Sequence, residues 1–335
     1  MDYLKRATES IKEGDDQYCA GEVKIKVNPE VLKRLSEPNG MLSTMYIALD
    51  WLSVFGAIAL AMHYSNIIVS ALTIIWVGAR QHAIGIILHD GAHNRLYKSR
   101  TINRWVSELF LAWPLNITID GYRLEHFSHH RWVGTDQDPD WLRTRNSDYV
   151  FPKSRFKIFM VYFAHLIGLR TIRDVHNMVF VSRIGLSPKM SVNILKSIYT
   201  VAIHAPIIYF GYWKELLLYW YLPYFTVLIF LLHIRIVAEH FGFGKNSFMM
   251  SRNVYTNFIG ELLIAPHGVN YHLDHHIFPT VPFYNLKKFH KELLKDDYYR
   301  DNAQNIHGYF TGLTEKLVNS ELDEVKIIEK EKIAS

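Results

Sequence analysis

The sequence predicts an all-α membrane protein, a four-span helical bundle with a cytoplasmic helical cap that carries clustered histidines. Three observations lead there. Four apolar stretches are long enough to cross a bilayer. Lysine and arginine gather outside two short hairpin turns, and eight of the eighteen histidines fall in three short clusters within the polar segments. A length of 335 residues permits one to three domains. We expect a cytoplasmic N-terminal segment over 1–44, a membrane and histidine-bearing domain over 45–295, and a charged C-terminal tail over 296–335.

The first segment reads as aqueous. Its charged start (Lys5, Arg6, Glu9, Lys12), with no early apolar run, predicts no cleavable signal peptide. Asn28 before Pro29 and Glu30 is a helix start, and Pro38-Asn39-Gly40 reads as its stop. The first span covers about 45–62 and the second 67–88, so only His63 to Asn66 join them in a tight hairpin. At 1.5 Å per residue, about 20 residues cross the hydrocarbon, and continuation of the second span lifts His89 and His93 just beyond it. Between 89 and 192 the chain is polar except at 105–117 and 156–169. Both stretches are too short to cross and are expected to be interfacial or re-entrant helices. A second hairpin follows at 194–213 and 216–236, with Pro206 and Pro223 as kink positions. The remainder is aqueous, amphipathic around 284–294, and expected to be loosely structured from Glu315.

The hairpin turns hold only Lys214, whereas Arg95, Lys98, Arg100, Arg104, Arg131, Arg143 and Arg145 occupy the central region. The positive-inside rule then places both termini and that region in the cytoplasm. Four spans bring every histidine cluster to the same side; an odd count would separate them. The net charge of +5 comes without a basic run that argues for nucleic acid, and anionic lipid headgroups are the more natural partner. Cys19 is the only cysteine, which excludes an internal disulfide, a four-cysteine zinc site and a self-contained iron–sulfur cluster. Electrons for any redox chemistry must come from outside the chain.

The clusters are His89-Asp90-Gly91-Ala92-His93, His126-Phe127-Ser128-His129-His130 and His272-Leu273-Asp274-His275-His276. Residues three and four apart share a helix face, so each cluster aims its imidazoles one way. Neutral imidazole is the commonest metal ligand, and eight are too many for one first-row ion, so the clusters suggest two metals. At this histidine content one H-x2-H-H is expected only about 0.05 times by chance. Asp90, Asp274, Glu239 and Asp138 are candidates to accept the free N–H of ligating imidazoles. His267 reads as a loop histidine after Pro266, and Asn270 and His233 as outlying contacts. Asp50, Arg80 and Arg235 fall in spans and are expected to snorkel to the interface.

In order and spacing, the three clusters resemble the histidine boxes of the membrane fatty-acid desaturase/hydroxylase superfamily over roughly residues 45–295. Residues 134–140 follow the second box, Ala238-Glu239-His240 closes the fourth span, and Phe278-Pro279-Thr280-Val281-Pro282 trails the third box, all as in that superfamily. The resemblance implies a non-haem di-iron centre that activates O2. Its implied ligands and catalytic histidines are His89, His93, His126, His129, His130, His272, His275 and His276, with His240 as a ninth ligand carried over by position. It implies an integral-membrane oxidoreductase, in the bacterial inner membrane or endoplasmic reticulum, that desaturates a fatty acyl chain entering from the bilayer. A hydroxylase or ketolase of a lipid, alkane or carotenoid is the nearest alternative, and a metal-binding membrane protein or transporter a distant one. The chain has no His-Pro-Gly-Gly haem signature, and Gly242-Phe243-Gly244 lacks the third glycine of a dinucleotide site. A separate cytochrome b5, ferredoxin or rubredoxin is therefore implied, with Lys287, Lys288, Lys291 and Arg95 as a candidate basic docking face.

Overall fold

The computed structural model describes residues 25–320 apart from 136, 141–143, 145, 178–181, 183 and 244–247. Cys19 and the rest of 1–24, Asp136, Arg143, Arg145, Gly244 and the tail beyond 320 lie outside the described residues. Asn28 starts helix α1 (Pro29–Leu35) as expected, its side chain accepting from the Glu30 N–H. Helix α1 ends at Leu35, before Pro38-Asn39-Gly40 as expected, but Asn39 also starts the next helix. Its side chain accepts from the Leu42 N–H at 3.0 Å and opens the first span, α2 (Gly40–Tyr64), well before residue 45. An Asn-Gly pair serves a helix start as readily as a stop, because the carboxamide satisfies an orphan N–H of the first turn.

The second span, α3 (Ile67–Ala92), is capped by Asn66, which takes the Ile68 and Val69 N–H groups. Ser65, with φ 46°, makes the reversal between the two spans. Helix α4 (Arg100–Ser107) runs on through a π turn (Glu108–Ala112) and a 3-10 turn (Trp113–Leu115), and α5 (Ile119–Trp132) follows, capped by Thr118. Helix α6 (Arg155–Leu166) turns Phe156, Phe159, Met160 and Phe163 outward and buries Ile158, Tyr162 and His165, the pattern of an interfacial helix. After α7 (Thr171–His176) comes the third span, α8 (Met190–Tyr209), then the fourth, α9 (Trp213–His240). Two π turns, Leu217–Tyr221 and Tyr224–Leu228, flank Pro223 in α9, where the missing N–H breaks the regular ladder.

The last part of the cap holds a parallel pair of short strands, β1 (Asn253–Tyr255) and β2 (Asn305–His307), around α10 (Phe258–Leu263), α11 (His272–Ile277), α12 (Phe283–Leu293) and α13 (Asp297–Asn302). The last helix among the described residues, α14 (Leu313–Val318), packs against it. Loose structure from Glu315 was expected, yet Leu313 and Leu317 are fully buried and join a core with Ile234, Val237 and Tyr309. The four spanning helices and the helical cap make an all-α membrane bundle.

Snorkelling is not how the intramembrane charges are accommodated. Asp50 and Arg80 are 4% and 6% exposed, and Arg80 Nη1 donates to Asp50 Oδ1 at 3.1 Å. His267 Nε2 meets Asp50 Oδ2 at 2.7 Å, and Arg80 also donates to the Leu262 carbonyl. The segment from α10 to His267 folds down onto α2 and α3 and supplies partners. A buried charge that is paired and hydrogen-bonded has no need to reach water. Arg235 is likewise tied within α9, its Nε donating to Glu239 Oε1 at 2.7 Å.

Candidate metal centre

Each histidine cluster sits where a helix ends or has just begun. His89 lies in the last turn of α3, and His93 caps that helix. Gly91 between them lets α4 approach, since a Cβ there would collide with Ser107. The second cluster ends α5, which stops before Gly134 at φ 77°. The third is most of the short α11, and His240 is the last residue of α9. All nine expected histidines come together, in two groups.

His89, His93, His126, His130 and His275 form one group; His129, His240, His272 and His276 form the other. Sequence reasoning sent each box in a single direction; His89 and His93 of the first box do share a group, but the structure divides the second and third boxes. In α5, His126 and His130 (i, i+4) go to the first group and His129 (i+3) to the second. In α11 the exchange is reversed: His272 and His276 serve the second group, His275 the first. On a helix, i+3 and i+4 diverge by about 100°, which lets one H-x2-H-H motif address two neighbouring points.

Within the first group, Nε2 of His126 lies 2.9 Å from Nε2 of both His93 and His130, and His130 Nε2 lies 3.1 Å from His275 Nε2. Within the second, His240 Nε2 is 3.1 Å from that of His129 and 2.8 Å from that of His272, with His276 at 3.0 Å from His272. Two nitrogens bound at right angles to one ion, each about 2.1 Å away, stand roughly 3.0 Å apart. Five converging nitrogens also exceed the four of a structural zinc site.

The outer nitrogens tell the same story. His129 Nδ1 donates to Asp138 Oδ1 at 2.9 Å, and His240 Nδ1 donates to the Met250 carbonyl at 3.0 Å. With their hydrogens on Nδ1, the facing Nε2 lone pairs repel unless a cation joins them. A proton can do so: burial pushes the His129 imidazolium down, but Asp138, Asp140 and Glu239 together hold it up at about 9. Burial and the His129 charge push His130 down to about 3. Burial likewise holds His126, His272, His275 and His276 in the neutral form that ligates metal ions.

Of the four acids expected to orient the clustered imidazoles, two meet one by hydrogen bond, Asp138 at 2.9 Å from His129 Nδ1 and Asp90 at 3.2 Å from His89 Nδ1, while Glu239 lies beside His272 Nδ1 at 3.4 Å. Asp274 turns away to His290 Nδ1 (2.8 Å), Asn253 Nδ2 (2.9 Å) and the Tyr299 hydroxyl. It follows His272 by two positions, about 200° around the helix, so it faces opposite the metal groups. Asn270 donates to the Val254 carbonyl, and His233 stacks on His165. The Met250 carbonyl was missed, because a backbone acceptor carries no residue signature.

A cleft of about 1690 Å³ opens between α2 and α8, lined by Trp51, Phe55, Phe110, Ile203, Leu216 and Tyr224 among others. None of the nine histidines lines it. Leu115, on its inner wall, packs 3.8 Å from the Cβ position of Gly85, one turn before His89.

Residues 65–308 match the fatty acid desaturase family. The chain is 28% identical to a dihydrorhizobitoxine desaturase of Bradyrhizobium elkanii, over 85% of each chain. It is 22% identical to an sn-1 acyl-lipid omega-3 desaturase (ferredoxin) of a Nostoc species, over 81% of this chain and 79% of that one. To a sphingolipid delta(4)-desaturase/C4-monooxygenase of Homo sapiens it is 25% identical, over 69% and 67%.

Proposed function

The chain belongs to the fatty acid desaturase family, and from that footing we propose that its nine clustered histidines hold two iron ions which use O2 to desaturate a lipid acyl chain. That it is an oxidoreductase of desaturase type follows from the family; the ions, the oxidant and the substrate are our reading. One observation carries it: two groups of imidazole nitrogens 2.8–3.1 Å apart, with two of the outer nitrogens committed to acceptors so that bare lone pairs converge.

Iron, when bound, supplies the oxidant that an unactivated C–H bond requires. The protein's own residues hold it. Asp138 and the Met250 carbonyl keep His129 and His240 in the tautomer whose Nε2 is free, and Glu239, steadied by the half-buried Arg235, lies beside His272. Forming one double bond with O2 consumes two electrons and two protons and releases two waters. A single cysteine and no haem signature leave those electrons to a partner protein of cytochrome b5, ferredoxin or rubredoxin type. The relative from Nostoc carries ferredoxin in its name. Lys288 and Lys291, exposed on α12 behind the third box, suit an acidic donor, whereas Lys287 is engaged by Glu261 at 2.8 Å. Both termini and the cap lie on the cytoplasmic side in this reading, and the cleft between α2 and α8 admits the lipid from the bilayer. Hydroxylation is the second reading, favoured by the relative named for a C4-monooxygenase.

Lipid profiling of cells expressing the wild type or His129→Ala, with iron analysis of both purified proteins, tests the proposal. New unsaturated lipid and bound iron in the wild type alone are expected; hydroxylated product in place of unsaturated product selects the second reading. Identical profiles from equal protein amounts, or purified wild type without iron, would overturn both.

A further inference from the structure

The third span turns a charge inward. Along α8 only Val192 and Lys196 are buried, while Ile194, Leu195, Ile198 and Val201 face outward. A lysine within the first turns of a span ordinarily runs its stem along apolar surface and lifts its ammonium to the interface. Lys196 is 8% exposed instead. Its Nζ donates to the Gly185 carbonyl, to Asn116 Oδ1 at 3.1 Å and to the Asn116 carbonyl at 3.3 Å. These oxygens receive its hydrogens but carry no charge, and Nζ forms no ion pair among the described residues. A buried ammonium is almost never left without a counter-charge.

The cleft brings a partner within reach. Lys196, Asn116 and Gly185 all line it, so the whole cradle of the amine borders the space between α2 and α8. Asn116, held at φ 58° ahead of α5, is exposed, and its Nδ2 is an uncommitted second donor among the described residues. Beyond this cradle the lining includes the apolar Ile47, Trp51, Phe110 and Ile203. The surrounding charge is positive as well. Arg104, Arg123, Lys189 and Lys196 act on two carboxylates, Asp120 and Glu108, and Asp120 is already held by Arg104 at 2.7 Å. A neutral acyl chain suits the apolar wall and leaves the ammonium unmatched; a chain that ends in an anionic oxygen suits both.

Resting on the reading above that this cleft admits lipid, we propose that Lys196 and Asn116 form a binding site for the anionic end of an acyl lipid, a carboxylate or a phosphate, whose hydrocarbon lies along the apolar lining. The 3.3 Å contact to the Asn116 carbonyl is longer than a good hydrogen bond, and it is the one that a charged oxygen replaces. Neutral lipids of the same chain length gain nothing from the amine.

The test is equilibrium binding to the full-length protein in nonionic detergent, without turnover. Two matched pairs of radiolabelled probes are compared: ionised stearate with methyl stearate, and dioleoyl phosphatidate with dioleoylglycerol. Wild type is expected to prefer the anionic member of at least one pair by about 10–100-fold, the worth of a hydrogen bond to a charged group. The pair that shows it distinguishes carboxylate from phosphate. Lys196→Gln keeps hydrogens for the carbonyls without the charge; it is expected to erase the preference while holding the neutral probes within about twofold, and Lys196→Arg to retain most of it. If Lys196→Gln does not accumulate, Lys196→Met serves with the same expectation. Equal binding within both pairs by the wild type, a preference that survives loss of the charge, or equal weakening of anionic and neutral probes would overturn the proposal. Because no oxidation is measured, failure of the iron or desaturation reading shows separately, in the metal and lipid analyses.

Discussion

Removing the Asp138 carboxylate should unload one half of the centre and spare the other. Asp138 is 3% exposed and takes the Nδ1–H of His129 at 2.9 Å; His129 is the only second-box histidine in the four-nitrogen group. In Asp138→Ala the ring is free to adopt the other tautomer, which places a hydrogen on Nε2 and removes its lone pair from that group. Loss of such an outer partner lowers metal affinity about 10–100-fold, or roughly 1.4–2.7 kcal/mol. Asp140 Oδ2, at 3.6 Å from the same nitrogen, is too far for a good hydrogen bond but still favours the native tautomer, which points to the lower half of that range. The assay is a chelator titration of purified protein with iron read by mass spectrometry. One of two ions should leave at about 10–30-fold lower chelator concentration while the other follows the wild-type curve. Asp138→Asn keeps an oxygen acceptor and should shift by less. Equal loss of both ions, or a curve identical to wild type, would refute the division of the histidines between two ions.

Arg80→Met strands Asp50 with His267 alone and should lower stability in detergent by about 3–5 kcal/mol, whereas Asp50→Leu with Arg80→Met should recover most of it, as read by thermal unfolding. Gly78→Ala drives a methyl into Val227 across the α3–α9 contact and should cost about 1–3 kcal/mol, while Gly56→Ala, with nothing within 4 Å of the new methyl, should be neutral or mildly stabilising in the same assay. Asp274→Leu strips the acceptor from His290, Tyr299 and Asn253 and should cost at least about 3 kcal/mol. Tyr255→Phe, which removes only the 2.6 Å bond to His290 Nε2, should cost about 1 kcal/mol, and unfolding midpoints of the two variants decide whether this network anchors α11.

The spans were legible because apolar length is a property of the chain alone. The second span begins at Ile67 as expected, but the first starts earlier than expected, because Asn39 caps a helix through a local geometry that a turn also uses. Histidine spacing foretold eight of the imidazoles that gather and the family resemblance the ninth, His240; the structure does bring those nine together. Their division into five and four depends on where α3, α5, α9 and α11 stand relative to one another, which no single spacing contains. Asp274 misled because an acid inside a box looks like an orienting group until its angle around α11 is counted. Asp50 and Arg80 misled for another reason: their partner His267 is distant in the chain, and a charge in a span shows its pairing only in three dimensions. The burial of Leu313 and Leu317 was hidden by the charged residues that follow them.

Helix α8 buries only Val192 and Lys196, and the nine histidines sit on α3, α5, α9 and α11 or at their ends. In the proposed reading, the metal-holding histidines and the α8 wall of the cleft thereby stand on different helices. Residues along α8 can change to reshape the lipid-facing side without touching the machinery opposite, so new preferences can evolve, or be engineered, one outward-facing side chain at a time while the reactive layer stays as it is.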